Sequence, residues 1–313
     1  MKILFFVNTR FNIKDNSKSG GIEALNIELS NHFKKKNIFV VLSNKISNKI
    51  LTISWDVVIS SNDASIFDKI ISKRKILWLH NKLQIEKSLR KKQFFPILRN
   101  KLEVVFVSKY LEANTSELYF FNKRIIISNF LPKIFTKRRI VKKVYSKKIF
   151  VWSVQRNRGL DYVLDLWINK INHNYKDAEL HIFSIKQKNK KQFEKYNIFF
   201  HGRVKRSTLL NFYKKSSGMI CLGYDETFCL NAIESMSMGV PVISLCKTAL
   251  NELIKNNKNG FKIKDLSDLK KTIIKLINLN QNKRIKLTES TIKFSKKFHS
   301  KNIFKKWDNL ILK

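Results

Sequence analysis

Short apolar runs alternate with amphipathic patterns along the first half of the chain. The apolar runs predict strands at residues 3–7, 38–42, 55–59, 75–79, 104–107 and 124–127. Between the first two runs, apolar residues recur at the three-to-four spacing of a helix face, at Ile22, Leu25, Leu29 and Phe33. Strands that alternate with helices predict a parallel sheet with right-handed crossovers.

The same alternation restarts after a basic, irregular stretch that follows Pro132. It predicts strands at residues 149–154, 179–183, 198–200, 219–222, 241–245 and 261–263. We therefore predict an α/β protein with two Rossmann-like, doubly wound domains that face each other across a cleft. The predicted boundaries are 1–132 for the first domain, 133–148 for a linker, 149–280 for the second domain and 281–313 for helices that pack back across the cleft.

Length and cysteine usage agree with this plan. A chain of 313 residues exceeds what one core usually holds. Its three cysteines, Cys221, Cys229 and Cys246, show no paired spacing, which argues against a disulfide framework or a zinc site and favours a reducing, cytoplasmic setting. The apolar run at the amino terminus ends at Asn8, too early for a signal peptide or a membrane span.

The formal net charge of +40 is far outside ordinary usage. Three explanations stay open: attraction to anionic phospholipid, binding of nucleic-acid phosphates, and codon bias in an AT-rich genome. No helix-turn-helix, zinc-finger or ribonucleoprotein signature is present, so specific nucleic-acid binding is not expected. The segment at residues 89–101 mixes cations with apolar side chains, as segments at membrane surfaces do.

Candidate chemistry is concentrated at residues 225–245, DETFCLNAIESMSMGVPVISL. The pattern predicts a strand, a loop, a helix and a strand. Glu226 would lie in the loop at the carboxyl end of a strand, and Glu234 about two turns into the helix. Both carboxylates would point toward one crevice.

This stretch resembles the donor-site signature of the family 4 retaining glycosyltransferases, which have the GT-B fold. The family pattern is approximately E-x-F-G-L-x-x-x-E-A-M-A-x-G-x-P-V, and Cys229 replaces its first Gly. The matching positions are Glu226, Phe228, Leu230, Glu234, Met236, Gly239, Pro241 and Val242. GGIE at 20–23, RGLDYVLDLW at 158–167 and FFHGRV at 199–204 also stand where the family has landmarks.

The resemblance implies roles in the second domain. Glu226 would contact the hexose, and Glu234 the ribose. The diphosphate would be bound by Arg158, in the place of the family's Lys, and by backbone N–H groups of the residues that open the helix, Thr227, Phe228, Cys229 and Leu230. The family usually has a further Arg before this one; here Ser153 and Val154 stand there, and Arg156 is nearby but out of step.

In the first domain, the resemblance implies roles for Gly20 and Gly21, where backbone approaches the diphosphate, and for His80, a cleft histidine near the hexose. The chain has no Asp-x-Asp pair, so we expect neither a catalytic metal nor another cofactor.

The predicted function is retaining, metal-independent transfer of a sugar from a nucleoside diphosphate sugar to a glycan or lipid-linked acceptor, as in lipopolysaccharide and other polysaccharide biosynthesis. Two alternatives stay open: a polyanion- or nucleic-acid-binding protein, and a catalytically inactive scaffold of the same fold. We expect a cytoplasmic protein, with peripheral attachment to the inner face of the anionic cytoplasmic membrane as a further hypothesis.

Overall fold

The computed structural model describes residues 1–9, 20–136 and 148–313. The described residues form two compact units, the first made of residues 1–132 with 300–313 and the second of residues 133–299. Most of the predicted linker, residues 137–147, lies outside the described residues. Within the described part of the chain, no helix is both long and apolar enough to cross a membrane.

The first unit is built on a six-stranded parallel sheet in the order β2-β1-β3-β4-β5-β6. Its strands are β1 (Lys2–Val7), β2 (Phe39–Ser43), β3 (Trp55–Ser61), β4 (Ser72–Leu79), β5 (Glu103–Phe106) and β6 (Lys123–Ile126). Its α-helices are Gly21–Lys34, Asn48–Leu51, Ile85–Arg90, Phe94–Arg99, Lys109–Ala113 and Ser300–Ile311. A 3₁₀ turn covers Ser65–Asp68.

The second unit repeats this plan with a parallel sheet in the order β12-β11-β10-β7-β8-β9. Its strands are β7 (Lys148–Trp152), β8 (Ala178–Phe183), β9 (Ile198–Gly202), β10 (Gly218–Ile220), β11 (Val242–Ser244) and β12 (Gly260–Lys262). Its longer helices are Leu160–Leu166, Arg206–Lys215, Leu230–Ser237, Leu266–Ile277 and Gln281–Ser295. Shorter helical segments are Lys133–Phe135, Arg156–Arg158, Trp167–Ile171, Asn172–Asn174, Lys191–Glu194, Leu250–Leu253 and Lys296–Phe298.

All twelve predicted strands are present, each shifted by no more than a few residues, and the predicted α/β class with two doubly wound sheets is confirmed. Each sheet lies between helices, so its central strands are buried on both faces and read as continuous apolar runs, whereas the edge strands β2 and β6 are partly exposed. This explains why short apolar runs located the strands correctly.

The last two long helices belong to different units. Gln281–Ser295 lies in the second unit, whereas Ser300–Ile311 lies in the first. There Trp307, which is completely buried, packs against Trp78 with ring centroids 4.8 Å apart. Asp308 accepts a hydrogen bond from His32 at 2.8 Å and pairs with Lys36 at 3.0 Å. The final helix is therefore part of the first unit's core.

Candidate active site

The order of the strands reverses between β7 and β10 in the second unit. β8 and β9 follow β7 on one side, and β10, β11 and β12 extend the sheet on the other. Loops that leave two such strands at their carboxyl ends diverge to opposite faces and leave a crevice where α/β sheets bind ligands. Arg158 follows β7 and Glu226 follows β10, so the sheet order brings these two residues to one crevice.

Arg158 and Glu226 form the centre of this crevice. The Nε atom of Arg158 lies 3.5 Å from a carboxylate oxygen of Glu226, and the two side chains are only 17% and 13% exposed. One terminal nitrogen of Arg158 donates to the backbone carbonyl of Tyr224 at 2.6 Å and lies 3.3 Å from the Asp225 carboxylate. Within the described residues, the buried Nε of Arg158 has no hydrogen-bond partner. The crevice therefore holds an oriented cation with an unused donor.

Burial governs the charge of Glu226. It raises the pKa of the carboxyl group, the positive charge of Arg158 opposes that rise, and Asp225 adds to it. Arg158 therefore helps Glu226 to remain ionised despite its burial. A carboxylate beside a guanidinium in such a site can accept from hydroxyl groups and stabilise nearby positive charge.

Gly159 determines where Arg158 points. Its φ of 103° lies in the region that side chains rarely adopt. A Cβ atom here would also lie 2.8 Å from both Leu222 Cδ1 and the ring of Tyr224. Only glycine fits, which gives a physical reason for the Arg-Gly pair that the family resemblance singled out.

Cys229 is the residue immediately before the helix Leu230–Ser237, and its φ is 68°. This left-handed conformation is unfavourable for any residue with a Cβ. The resembling family has Gly at this position, and the backbone geometry explains that preference. Because the helix begins only at Leu230, Glu234 lies about one turn into it, so the predicted two turns were wrong. The loop occupies more of the stretch than its apolar pattern indicated.

Glu234 is nearly inaccessible, with its side chain 2% exposed, and it accepts a short hydrogen bond from Arg206. Burial raises the pKa of Glu234, and the charge of Arg206 opposes the rise. The nearby phenol of Tyr213 is completely buried, and its pKa is raised well above its ordinary value by burial and by the charge of Glu234. Glu234 and Arg206 thus form an ion pair that joins the helix Leu230–Ser237 to the helix Arg206–Lys215.

A hydrogen-bond network connects this helix to the end of β7. The hydroxyl of Ser153 bonds that of Tyr213 at 2.8 Å, and the side-chain amide of Asn231 donates to the backbone carbonyl of Ser153. The sequence analysis missed Arg206, Tyr213 and Asn231. Arg206 lies 28 positions from Glu234, and Ser153 lies 78 from Asn231, so no local pattern signalled these pairs.

Two other residues of the predicted donor site, Arg156 and Phe228, contact protein side chains of the second unit. Arg156 is 47% exposed, pairs with Asp161 at 2.5 Å and donates to Gln187 at 3.2 Å. Phe228 is buried against Phe298, with ring centroids 5.9 Å apart. The backbone leading from Thr227 to Leu230 forms the turn into the helix, as expected. The structure thus places Arg156 at the surface, while residues 226–230 form the end of the crevice loop and the start of the helix.

In the first unit, His80 directly follows β4 and is 5% exposed. Its backbone N–H donates to the side chain of Asn62 at 2.7 Å, and its ring lies 4.6 Å from that of Trp78. Burial lowers the pKa of His80 to about 3, so the imidazole is neutral at pH 7.

Gly20 and Gly21 stand at the start of the helix Gly21–Lys34. A Cβ atom on Gly20 would meet the carboxylate of Glu23, which accepts a hydrogen bond from Thr9 at 2.8 Å. Because Gly20 has an ordinary φ of −69° and the Glu23 side chain is flexible, this contact by itself does not require glycine at position 20.

Among the described residues, one group of metal-ligating side chains stands together: Cys221, Glu226 and Cys229, whose ligand atoms all lie within 4.8 Å of one another. The group lies in the same crevice loop.

Sequence comparison identifies one family. The model of the family described as "Glycosyl transferases group 1" matches residues 135–295, which is more than half of the chain. A comparison with curated protein sequences found no match.

Solved structures share the fold at low sequence identity. Sucrose-phosphate synthase from Thermosynechococcus elongatus matches with a TM-score of 0.77 at 13% identity, over 99% of this chain and 98% of that one. WaaG, a glycosyltransferase involved in lipopolysaccharide biosynthesis, matches with a TM-score of 0.71 at 11% identity, over 99% of both chains.

A variant of S. aureus TarM in complex with fondaparinux, alpha-GlcNAc-glycerol and UDP has a TM-score of 0.65 at 18% identity. The match covers 82% of this chain and 55% of TarM, so the chain spans about half the length of that protein. At these low sequence identities the structural similarity establishes the fold, and it confirms the expected GT-B class.

Proposed function

This chain belongs to the group 1 glycosyl transferases, and we propose that it is a retaining, metal-independent enzyme that moves a sugar from a nucleoside diphosphate sugar to a glycan or lipid-linked glycan acceptor. The observation that carries the proposal is the pair formed by Arg158 and Glu226 at the strand-order reversal of the second sheet. The TarM structure, which has the same fold, contains UDP and alpha-GlcNAc-glycerol.

We assign the diphosphate to Arg158. Negative charge accumulates on the leaving group as the glycosidic bond breaks, and a preoriented guanidinium stabilises it most where water is excluded. The unused Nε donor of Arg158 supports this assignment, because within the described residues it has no hydrogen-bond partner. Backbone N–H groups at residues 227–230 would add further donors.

Glu226 is assigned to the transferred hexose. Its buried carboxylate would accept from sugar hydroxyls and oppose the positive charge that develops on the ring. The leaving diphosphate, held by Arg158, would then accept the proton of the attacking hydroxyl. Glu234 would accept from the ribose with the carboxylate oxygen that does not bind Arg206. For the first unit we propose an acceptor-binding role, and Gly20, Gly21 and His80 keep the donor-side roles that the resemblance implies.

The test is turnover with a panel of UDP-, GDP- and ADP-sugars, followed as nucleoside diphosphate release with and without EDTA. We expect Glu226→Gln to lower kcat by about 100-fold, the loss typical of removing one electrostatic contact in a transition state. Glu234→Gln should instead raise KM for the donor. Glu289→Gln, an exposed carboxylate on the helix Gln281–Ser295, is the matched control.

Retention is tested by the anomeric configuration of the product, determined by NMR. An inverted product, a requirement for added metal, or unchanged turnover in Glu226→Gln would contradict the assignment.

We also propose peripheral attachment to the inner face of the cytoplasmic membrane. Leu89 and Phe95 are 46% and 60% exposed, and exposed cations stand between them. Each basic residue near an anionic surface contributes about 1 kcal/mol. Flotation with anionic liposomes should carry the protein at physiological salt, and neutral liposomes should not. Protein that stays at the bottom in both would contradict attachment.

A further inference from the structure

Two cysteines of the crevice loop meet although they are eight positions apart. Cys221 directly follows β10, and Cys229 directly precedes the helix Leu230–Ser237. Their sulfur atoms lie 3.8 Å apart, and both residues are buried. A carboxylate oxygen of Glu226 completes a group of three ligand atoms within 4.8 Å of one another.

We propose that Cys221, Cys229 and Glu226 form a binding site for a thiophilic divalent cation such as Zn²⁺, and that the bound cation inhibits the enzyme. A tetrahedral ion with Zn–S bonds of about 2.3 Å holds two thiolates about 3.8 Å apart. The two sulfurs already stand at that separation. A carboxylate oxygen in a tetrahedral site lies about 3.5 Å from each sulfur, so the Glu226 carboxylate needs only a small movement from its present separation of at most 4.8 Å. Glu226 is the least buried of the three residues, so the ion can enter from its side.

The cation and its three ligands together carry one net negative charge. Binding releases two thiol protons to the solvent, which leaves two thiolates and one carboxylate around a divalent ion. The remaining negative charge faces the guanidinium of Arg158, whose Nε lies 3.5 Å from Glu226. Three protein ligands leave the fourth position of a tetrahedral ion for water. A thiolate pair selects Zn²⁺ and similar ions over Mg²⁺, which prefers oxygen ligands.

Inhibition follows from the position of Glu226 and rests on the proposed function. A carboxylate that coordinates a metal cannot also accept from the hexose. The cation therefore acts here as an inhibitor of a metal-independent reaction, and it supplies no step of that reaction.

Cobalt(II) is the probe for binding, because thiolate-bound Co²⁺ absorbs through charge transfer and through visible d–d bands that report tetrahedral geometry. The experiment uses tag-free, full-length protein reduced without thiol reagents, after titration has shown three free thiols. We expect both bands in the wild type. Cys221→Ser and Cys229→Gly each leave one thiolate, so each should lower the intensity of the charge-transfer band and weaken binding at least tenfold.

Cys246→Ser is the matched control, since it removes the remaining thiol, which lies outside the group. It should keep both bands, and circular dichroism should show all three variants folded. The proposal is overturned if the reduced wild type shows no charge-transfer band, or if Cys221→Ser keeps the band at full intensity with unchanged affinity.

A second measurement tests inhibition separately. Micromolar Zn²⁺ should suppress sugar transfer by the wild type, a chelator should restore it, and Cys221→Ser should need at least ten times more Zn²⁺. Equal inhibition of both proteins would refute the inhibitory role. If no donor is turned over at all, the proposed function fails, while the Co²⁺ spectra still decide whether the metal site exists.

Discussion

Removing Arg206 should destabilise the second unit in a way that depends on pH. Arg206 is the partner of Glu234, whose side chain is 2% exposed. In Arg206→Ala the carboxylate would be buried without its compensating charge. Loss of one member of a buried pair typically costs about 3–5 kcal/mol.

The variant can avoid burying an unpaired charge by protonating Glu234, and this limits the cost. Glu234 can bind a proton, and holding a carboxyl group of ordinary pKa 4.5 in its neutral form at pH 7 costs at most about 3 kcal/mol. Burial already raises the pKa of Glu234 in the folded protein, and loss of Arg206 raises it further. A group with a raised folded pKa stabilises the fold below its unfolded pKa, and this stability is lost as the pH rises through the folded pKa. Because the wild type already carries part of this pH-dependent cost, the deficit of Arg206→Ala should be at most about 3 kcal/mol at pH 7 and under about 1 kcal/mol at pH 5.

The measurement is urea unfolding at pH 5, 6 and 7, read by hydrogen-exchange mass spectrometry of peptides from residues 206–237, so that the second unit is followed by itself. Adding Glu234→Gln to Arg206→Ala should remove the pH dependence of the deficit. Arg156→Ala, which breaks the exposed pair with Asp161, should change stability by less than about 1 kcal/mol. Wild-type stability of Arg206→Ala at pH 7, or a deficit that stays constant down to pH 5, would refute the reasoning.

Three further substitutions test the backbone and core arguments. Cys229→Gly should be about 1 kcal/mol more stable to urea than Cys229→Ala, because both lack the thiol but only glycine relieves the left-handed strain; equal midpoints would contradict the strain. Gly159→Ala should lower the free energy of unfolding by about 1–3 kcal/mol and weaken donor binding by displacing Arg158. Isothermal titration with the donor measures the affinity, and an unchanged value would contradict this argument. Trp307→Ala should lower the stability of the first unit by about 3–5 kcal/mol, while Leu312→Ala, at an exposed position, should leave its thermal midpoint nearly unchanged.

Strand positions were predictable because burial on both sheet faces produces uninterrupted apolar runs. The residues at which strands end were less predictable. β10 was predicted at residues 219–222 and ends at Ile220. Cys221 and Leu222 remain buried, and each keeps one backbone hydrogen bond to residues 243–245, but they lie beyond the strand and start the loop of Glu226. An apolar pattern reports burial, and it does not distinguish a buried strand from a buried loop.

The chain's alternating pattern determined two parallel sheets, and the motif at residues 225–245 predicted that Glu226 lies in the loop after a strand. Only the tertiary structure decided what these residues meet. The reversal of strand order between β7 and β10 places Arg158 beside Glu226. The tertiary fold also pairs Arg206 with Glu234 and brings the sulfurs of Cys221 and Cys229 together. The physical reason is that periodicity records how each segment is buried, whereas side-chain partners depend on which strands become neighbours in the sheet.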